Sequence, residues 1–443
     1  MSELPENWVD VPLNELCRPR QWKTISTKDL TPTGYTVYGA NGIIGFYSEY
    51  THEKPTLMIT CRGATCGNLH ISKPFSYING NAMALDDLLE GVCSQRYLYY
   101  FLKNRGFDDV ISGSAQPQIT REGLSNVVVS VAPLDEQKRI AEKLDSLLAR
   151  VDSCQTHLER VPQILKRFRQ SVLAAAIEGK LGIQNDEFGI GQGQLPEGWR
   201  WIDFKEIMQS LKNGFFYGRP AIEPPGIPIL RISAVRPMSV NLDEPRFVPD
   251  IDEDKVKGYF LEKGDLLFTR YNGNAELVGA CGRVRELPKP TIYPDKLIRV
   301  KVNHDIVLPE YLEMYFATQT ARKFVEGRIK STAGQHGIAG GDIKSIPVIL
   351  PPLEEQAEIV RRVEKLFAYA ENLEARYLST SEHVERLTPS LLAKAFRGEL
   401  VEQNVNDESA EKLLEKITAQ NVETQVVKLS KGKKGGKNVR KSK

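Results

Sequence analysis

The sequence predicts an α+β protein: two mixed α/β globules separated by two long helices packed as an antiparallel coiled coil, in a pseudo-two-fold circular arrangement. Three observations predict it. A stretch opening Pro133-Leu134-Asp135-Glu136-Gln137 and closing Ser171-Val172-Leu173-Ala174 recurs as Pro352-Leu353-Glu354-Glu355-Gln356 to Ser390-Leu391-Leu392-Ala393, offset by 219 residues at both ends. Within each copy the apolar residues alternate in steps of four and three, broken in the second only at Thr380, the spacing of a helical seam. A globule-sized stretch precedes each copy and opens on one motif, Leu4-Pro5-Glu6-Asn7-Trp8 and Leu195-Pro196-Glu197-Gly198-Trp199.

Residues 1–132 form the first globule, with β-rich runs at Tyr35 to Tyr38, Thr56 to Thr60 and Val127 to Val131 between Gly-rich turns, and a helix around Gln95 to Asn104. Residues 133–182 are the first spacer helix. Its seam runs through Ile140, Leu144, Leu147, Val151, Leu158 and Leu165; acidic residues in its first turn suit the helix dipole, and Gly179 marks its end. Residues 183–194 are a Gly-rich linker. Residues 195–351 repeat the globule, with strands at Ile227 to Ile232, Asp265 to Arg270, Lys296 to Val302 and Ile346 to Leu350 and a helix over Pro309 to Arg328. Residues 352–401 are the second spacer helix, with its seam at Ile359, Val363, Leu366, Leu373, Val384 and Leu387. Each helix, at about 45 residues, spans roughly 65 Å, and Pro162 and Pro389 predict kinks at different places. Equal length in matched register suits a ruler better than a tether. Residues 402–443 hold a short amphipathic helix, Glu408 to Thr418, and a basic disordered tail. The second helix ends on the counterpart of the segment that leads into a Leu-Pro-Glu-x-Trp motif. Antiparallel seams would therefore return the chain to its start.

At 443 residues and 41% hydrophobic content, the chain is long enough for two or three cored domains. Its six scattered cysteines point to a reduced, cytoplasmic setting, and no apolar run is long enough to engage a membrane as a span. The net charge is only +2, and eight of the basic residues lie in 428–443, which leaves 51 basic against 57 acidic residues elsewhere. Any nucleic-acid surface must therefore be local.

No nucleotide-phosphate loop, methyltransferase pocket or metal-ligand spacing is present, so the chain reads as a recognition part and not an enzyme, with no cofactor of its own. Recognition chemistry is better represented. Arg270, Tyr271, Asn272 and Asn274 crowd a strand end, Arg231 and Arg236 lie on another strand, and Gln335 and His336 sit in a Gly-rich loop. The first globule offers Gln116 and Gln118 in the matching loop, with Asn41, Arg62, Asn79 and Asn81 on nearby turns. Arg pairs bidentately with guanine and Asn or Gln with adenine, so such loops suit base edges in a major groove.

The doubled Pro-Leu-x-Glu-Gln helix with its Ser-(Val/Leu)-Leu-Ala ending, the doubled Leu-Pro-Glu-x-Trp, and Phe268-Thr269-Arg270-Tyr271-Asn272-Gly273 with Tyr293-Pro294-Asp295-Lys296 resemble the DNA-specificity subunit of type I restriction-modification enzymes. Gln163-Ile164-Leu165-Lys166-Arg167-Phe168 and Glu358-Ile359-Val360-Arg361-Arg362 are most similar to the type IA class. The resemblance implies that each globule is a target-recognition domain for one half of a bipartite site in double-stranded DNA, and that the helices fix the gap. It implies a non-catalytic subunit serving both modification and restriction. Two modification subunits would use S-adenosylmethionine to methylate adenines, and two restriction subunits would use ATP and Mg. The rival from the residues alone is a symmetric coiled-coil scaffold with two protein-binding globules, which does not account for unequal globules between equal rulers.

Overall fold

In a computed structural model, which describes residues 4–40, 42–113, 116–181, 195–249, 251–332, 334–416 and 419, the helices that organise the chain are α1 (Gln95–Arg105), α2 (Leu134–Leu158), α3 (Val161–Ile177), α4 (Pro309–Phe316) and α5 (Leu353–Ala395). The linker 183–194 and the tail from 428 onward lie outside the described residues.

The first spacer is two helices where the sequence predicts one kinked helix. The chain turns at Glu159 and Arg160, and Pro162 occupies the first turn of α3, where its missing N–H leaves no bond unmade. Pro389, by contrast, lies inside the 43-residue α5. The seam is also corrected. Ile140, Leu144, Val151, Leu165, Ile359, Val363 and Val384 are buried, and Leu147, Leu158, Leu366 and Leu373 are half-buried, but Leu387 is 43% exposed. A straight helix drifts by about 20° per heptad from a 3.5-residue repeat. Burial accordingly moves to Leu148 in α2 and to Leu392 and Ala395 in α5.

The chain divides into two compact units: residues up to Leu158 with those from Ser379 onward, and Glu159–Leu378. In the first, an antiparallel sheet runs in the order Arg18–Gln21, Ala82–Asp86, Leu57–Thr60, Leu69–Ile71. Val9–Pro12 pairs with Val128–Val131 and closes the globule just before α2. Its core joins Leu57, Ile59, Tyr97 and Leu98 to Ile140 and Leu144 of α2 and to Leu392 and Ala395 of α5. The Phe396 ring meets those of Tyr97 at 5.4 Å and Phe101 at 5.2 Å, edge on. Arg139 of α2 pairs with Asp407 at 2.7 Å. The start of α2 thus lies beside the residues that follow α5, the antiparallel sense.

The second unit has a sheet of the same order, Met208–Asn213, Leu297–Val302, Leu266–Thr269, Cys281–Arg283, although the two globules diverge in sequence here. Arg200–Asp203 pairs with Pro347–Leu350 as Val9–Pro12 does with Val128–Val131. Its core joins Phe204, Phe268, Tyr311 and Tyr315 to Leu173 and Ile177 of α3 and to Ile359 and Val363 of α5, and Arg169 of α3 meets Glu374 of α5 at 2.6 Å. Each unit therefore holds the helix that leaves its own globule and the end of the helix that arrives from the other repeat.

The repeated motifs are explained by hydrogen bonds. The residue between Glu and Trp is left-handed in both copies, Asn7 at φ 68° and Gly198 at φ 80°, in turns closed by the Trp8 N–H on Pro5 O at 3.2 Å and the Trp199 N–H on Pro196 O at 3.1 Å. The motif glutamines are fully buried. Gln137 Oε1 accepts from the Ser94 N–H at 2.8 Å, and its Nε2 donates to Val92 O at 2.7 Å and Ala132 O at 2.8 Å. Gln356 repeats this with the Leu308 N–H at 2.8 Å, Ile306 O at 3.1 Å and Pro351 O at 2.8 Å. Each glutamine latches a long helix to the backbone that leads into the globule's own helix, α1 or α4, and satisfies groups that burial would otherwise orphan. Among the described residues, no helix is long and apolar enough to cross a membrane.

Candidate nucleic-acid interface

Strand Leu266–Thr269 is buried throughout, and the chain then leaves the sheet. Tyr271 and Asn272 pair with Gly337 and His336 of a hairpin, Lys330–Thr332 with Gln335–Gly337. Arg270 is fixed from both sides: its N–H donates to Lys296 O at 2.8 Å, and its carbonyl accepts from the Ile338 N–H at 3.0 Å. A Cβ at Gly337 would stand 2.5 Å from the Tyr271 ring, so glycine is what lets that ring lie on the hairpin. The Arg270 guanidinium lies 4.7 Å and Lys296 Nζ 5.2 Å from the ring centre, two cations on one aromatic. Gln335 is exposed, and His336 is half-buried with Nδ1 at 2.7 Å from Ser331 Oγ.

Arg270, Tyr271, Asn272, Gln335 and His336 are therefore brought together. Asn274 lies one turn beyond, where Asn272 Oδ1 accepts its N–H and its own Oδ1 accepts from the Glu276 N–H, both at 2.9 Å. Arg231 and Arg236 belong elsewhere. Arg231 precedes a short 3-10 turn and pairs with Glu244 at 3.0 Å, so it is not on a strand as the sequence suggests. Arg236 lies on a separate two-residue hairpin strand and donates to Val235 O at 2.9 Å.

The first unit repeats the geometry. The Cys61 N–H donates to Asn81 O and its carbonyl accepts from the Ile119 N–H, both at 3.0 Å, so Cys61 stands where Arg270 does. Arg62 pairs with Gln118 as Tyr271 pairs with Gly337, and Asn81 takes the place of Lys296. Arg62, Gln116 and Gln118 are exposed together at this edge. Burial raises the Cys61 thiol above its ordinary range, away from thiolate chemistry. Asn79 is a correction: it is 2% exposed, Nδ2 donates to Ile25 O at 3.1 Å and Oδ1 accepts from the Ile25 N–H at 3.3 Å. It is a backbone clamp, because both faces of its amide are used inside the globule. Asn41 lies outside the described residues.

Lys296 is not among the residues that the sequence singles out, because the strand pairing that sets it beside Tyr271 and Arg270 is not revealed by spacing. Among the described residues, no three His, Cys, Asp or Glu side chains form a metal-holding group. The surface consists of hydrogen-bonding and cationic side chains on a paired hairpin support, which suits recognition.

A family model for the type I restriction modification DNA specificity domain matches residues 5–163 and 196–379. The type I restriction enzyme EcoKI specificity subunit of Escherichia coli strain K12 is 43% identical over 337 residues, spanning 73% of this chain and 71% of that one. The StySPI specificity subunit of Salmonella potsdam is 32% identical over 409 residues, 89% and 82% of the two chains. Among solved structures, one described as the structural basis of complex assembly and conformational transition of the type I R-M system superposes with a TM-score of 0.66 at 18% identity, covering 90% of this chain and 100% of that chain. The HsdS subunit from Thermoanaerobacter tengcongensis superposes at 0.57 and 17% identity, over 90% and 98%. These two are likenesses of fold.

Proposed function

This chain belongs to the type I restriction modification DNA specificity family and is a non-catalytic specificity subunit, and from that premise we propose that each of its globules reads one half of a bipartite site in double-stranded DNA. The observation that supports this reading is the repeated support: in both units a hairpin pairs onto the end of the sheet's central strand and presents polar side chains beside it. Two readers on one chain, joined by repeated helical segments, suit a target whose halves are separated by a fixed gap. Adenine methylation requires a base to be flipped into a catalytic pocket. In this proposal two modification subunits supply that pocket and S-adenosylmethionine, two restriction subunits supply ATP- and Mg-dependent translocation and cleavage, and the complex works in the cytoplasm. Methylome sequencing of a host expressing the chain with its modification subunit should return two short half-sites and a constant gap; one continuous site would sink the proposal.

Arg270 gives the sharpest local test. Arg270→Ala should weaken binding by about 1–3 kcal/mol and relax specificity at one position of the second half-site only. Equal weakening on every sequence would make Arg270 a phosphate contact, and competition binding on a library of single-base variants separates the two outcomes.

A further inference from the structure

The second globule carries an aromatic side chain that its core does not use. In Asn213-Gly214-Phe215-Phe216-Tyr217-Gly218-Arg219, Phe215 and Tyr217 pack onto the cluster of Ile229, Val248, Val256 and Ile292. Phe216 between them points outward, 74% exposed and without a ring neighbour among the described residues. The loop is not loose. The Gly214 N–H donates to Leu297 O at 3.0 Å, the Phe215 N–H to Tyr293 O at 2.8 Å, and the Asp295 N–H to Phe215 O at 3.1 Å. A Cβ at Gly214 would stand 2.0 Å from Pro294 O, so only glycine allows this approach. The loop is thereby clamped to the segment Tyr293 to Lys296, and Lys296 shares the Tyr271 ring with Arg270. Arg219, exposed and with no ion pair to any described residue, completes the edge.

We propose that Phe216 is a further specificity-determining residue, whose ring packs on the 5-methyl group of a thymine in the groove that Arg270 reads, with Arg219 on an adjacent phosphate. The inference rests on the proposed base reading. A largely exposed aromatic on a hydrogen-bonded loop costs apolar hydration in the free protein, and contact with an apolar group of the ligand recovers it. The thymine methyl is the apolar marker of the major groove, where donor and acceptor side chains such as Arg270 and Asn272 find their partners. Wedging between base steps is instead a minor-groove device.

The test uses the methyltransferase formed by the full chain and its modification subunit. Duplexes carry the methylome-defined target with each thymine of either half-site replaced in turn by uracil, which removes only the methyl group. One replacement in the second half-site should weaken binding by about fourfold, the worth of one buried methyl group. Phe216→Ala should abolish that sensitivity, Phe216→Leu should keep part of it, and sensitivities in the first half-site should not change. Absence of a sensitive thymine, equal sensitivity in Phe216→Ala, or uniform weakening on all duplexes would overturn the inference. If Arg270→Ala still relaxes the second half-site, the base reading stands without Phe216; if neither variant affects that half-site, the base reading itself falls.

Discussion

Replacing Gln356 with alanine should destabilise the second unit by about 3–5 kcal/mol, because it strands the Leu308 N–H and the Ile306 and Pro351 carbonyls inside the protein at about 1–3 kcal/mol each, partly relieved by entering water. Gln356→Glu separates hydrogen bonding from volume. It keeps the shape and the acceptor for Leu308 but turns a carboxylate oxygen toward two carbonyls, so it should be at least as damaging as alanine. Urea unfolding followed by circular dichroism gives both numbers, and Gln137→Ala should repeat the effect in the first unit. A loss below about 1 kcal/mol in Gln356→Ala would show that the glutamine is packed but not a latch.

Inserting four helix-forming residues after Glu159 and four after Leu378 should move methylation to a target with the same half-sites and a gap longer by one or two base pairs. Both points lie where the two compact units divide. Built as one more helical turn on the end of α2 and within α5, each insertion adds roughly 6 Å, about two steps at 3.4 Å. It also overshoots a full turn by about 40°, close to the roughly 35° of one base pair. Length thus favours two pairs and groove-tracking one. Methylome sequencing of the variant decides: an active enzyme with its old gap would show that the helices do not set the spacing, and altered half-sites would show that the globules do not read independently.

The repeat was legible because helical periodicity and end motifs are local signals, and Pro133 to Leu173 carries both. What the motifs do was not. Gln137 and Gln356 act on Val92, Ser94, Ile306 and Leu308, 43 to 50 residues upstream in globules whose sequences have diverged. The common sheet order was hidden for the same reason: strands such as Leu57–Thr60 and Leu266–Thr269 are buried runs whose partners only the fold supplies. Side-chain type misled at Asn79, where an amide on a Gly-flanked turn reads as a contact residue but is spent on Ile25. Leu387 followed the heptad on paper and left the seam, because a straight helix does not keep a seven-residue period.

The crossing of the repeats at Phe396 and Ile177 has a consequence for covalent continuity. Neither half of the duplication, taken alone, contains a finished core: residues up to 181 bring one unit its globule and the other its α3, and residues from 195 onward do the converse. A chain severed between the halves therefore still has every buried surface it needs, distributed over two polypeptides. Two half-length chains would each bring the buried surface that the other's unit lacks.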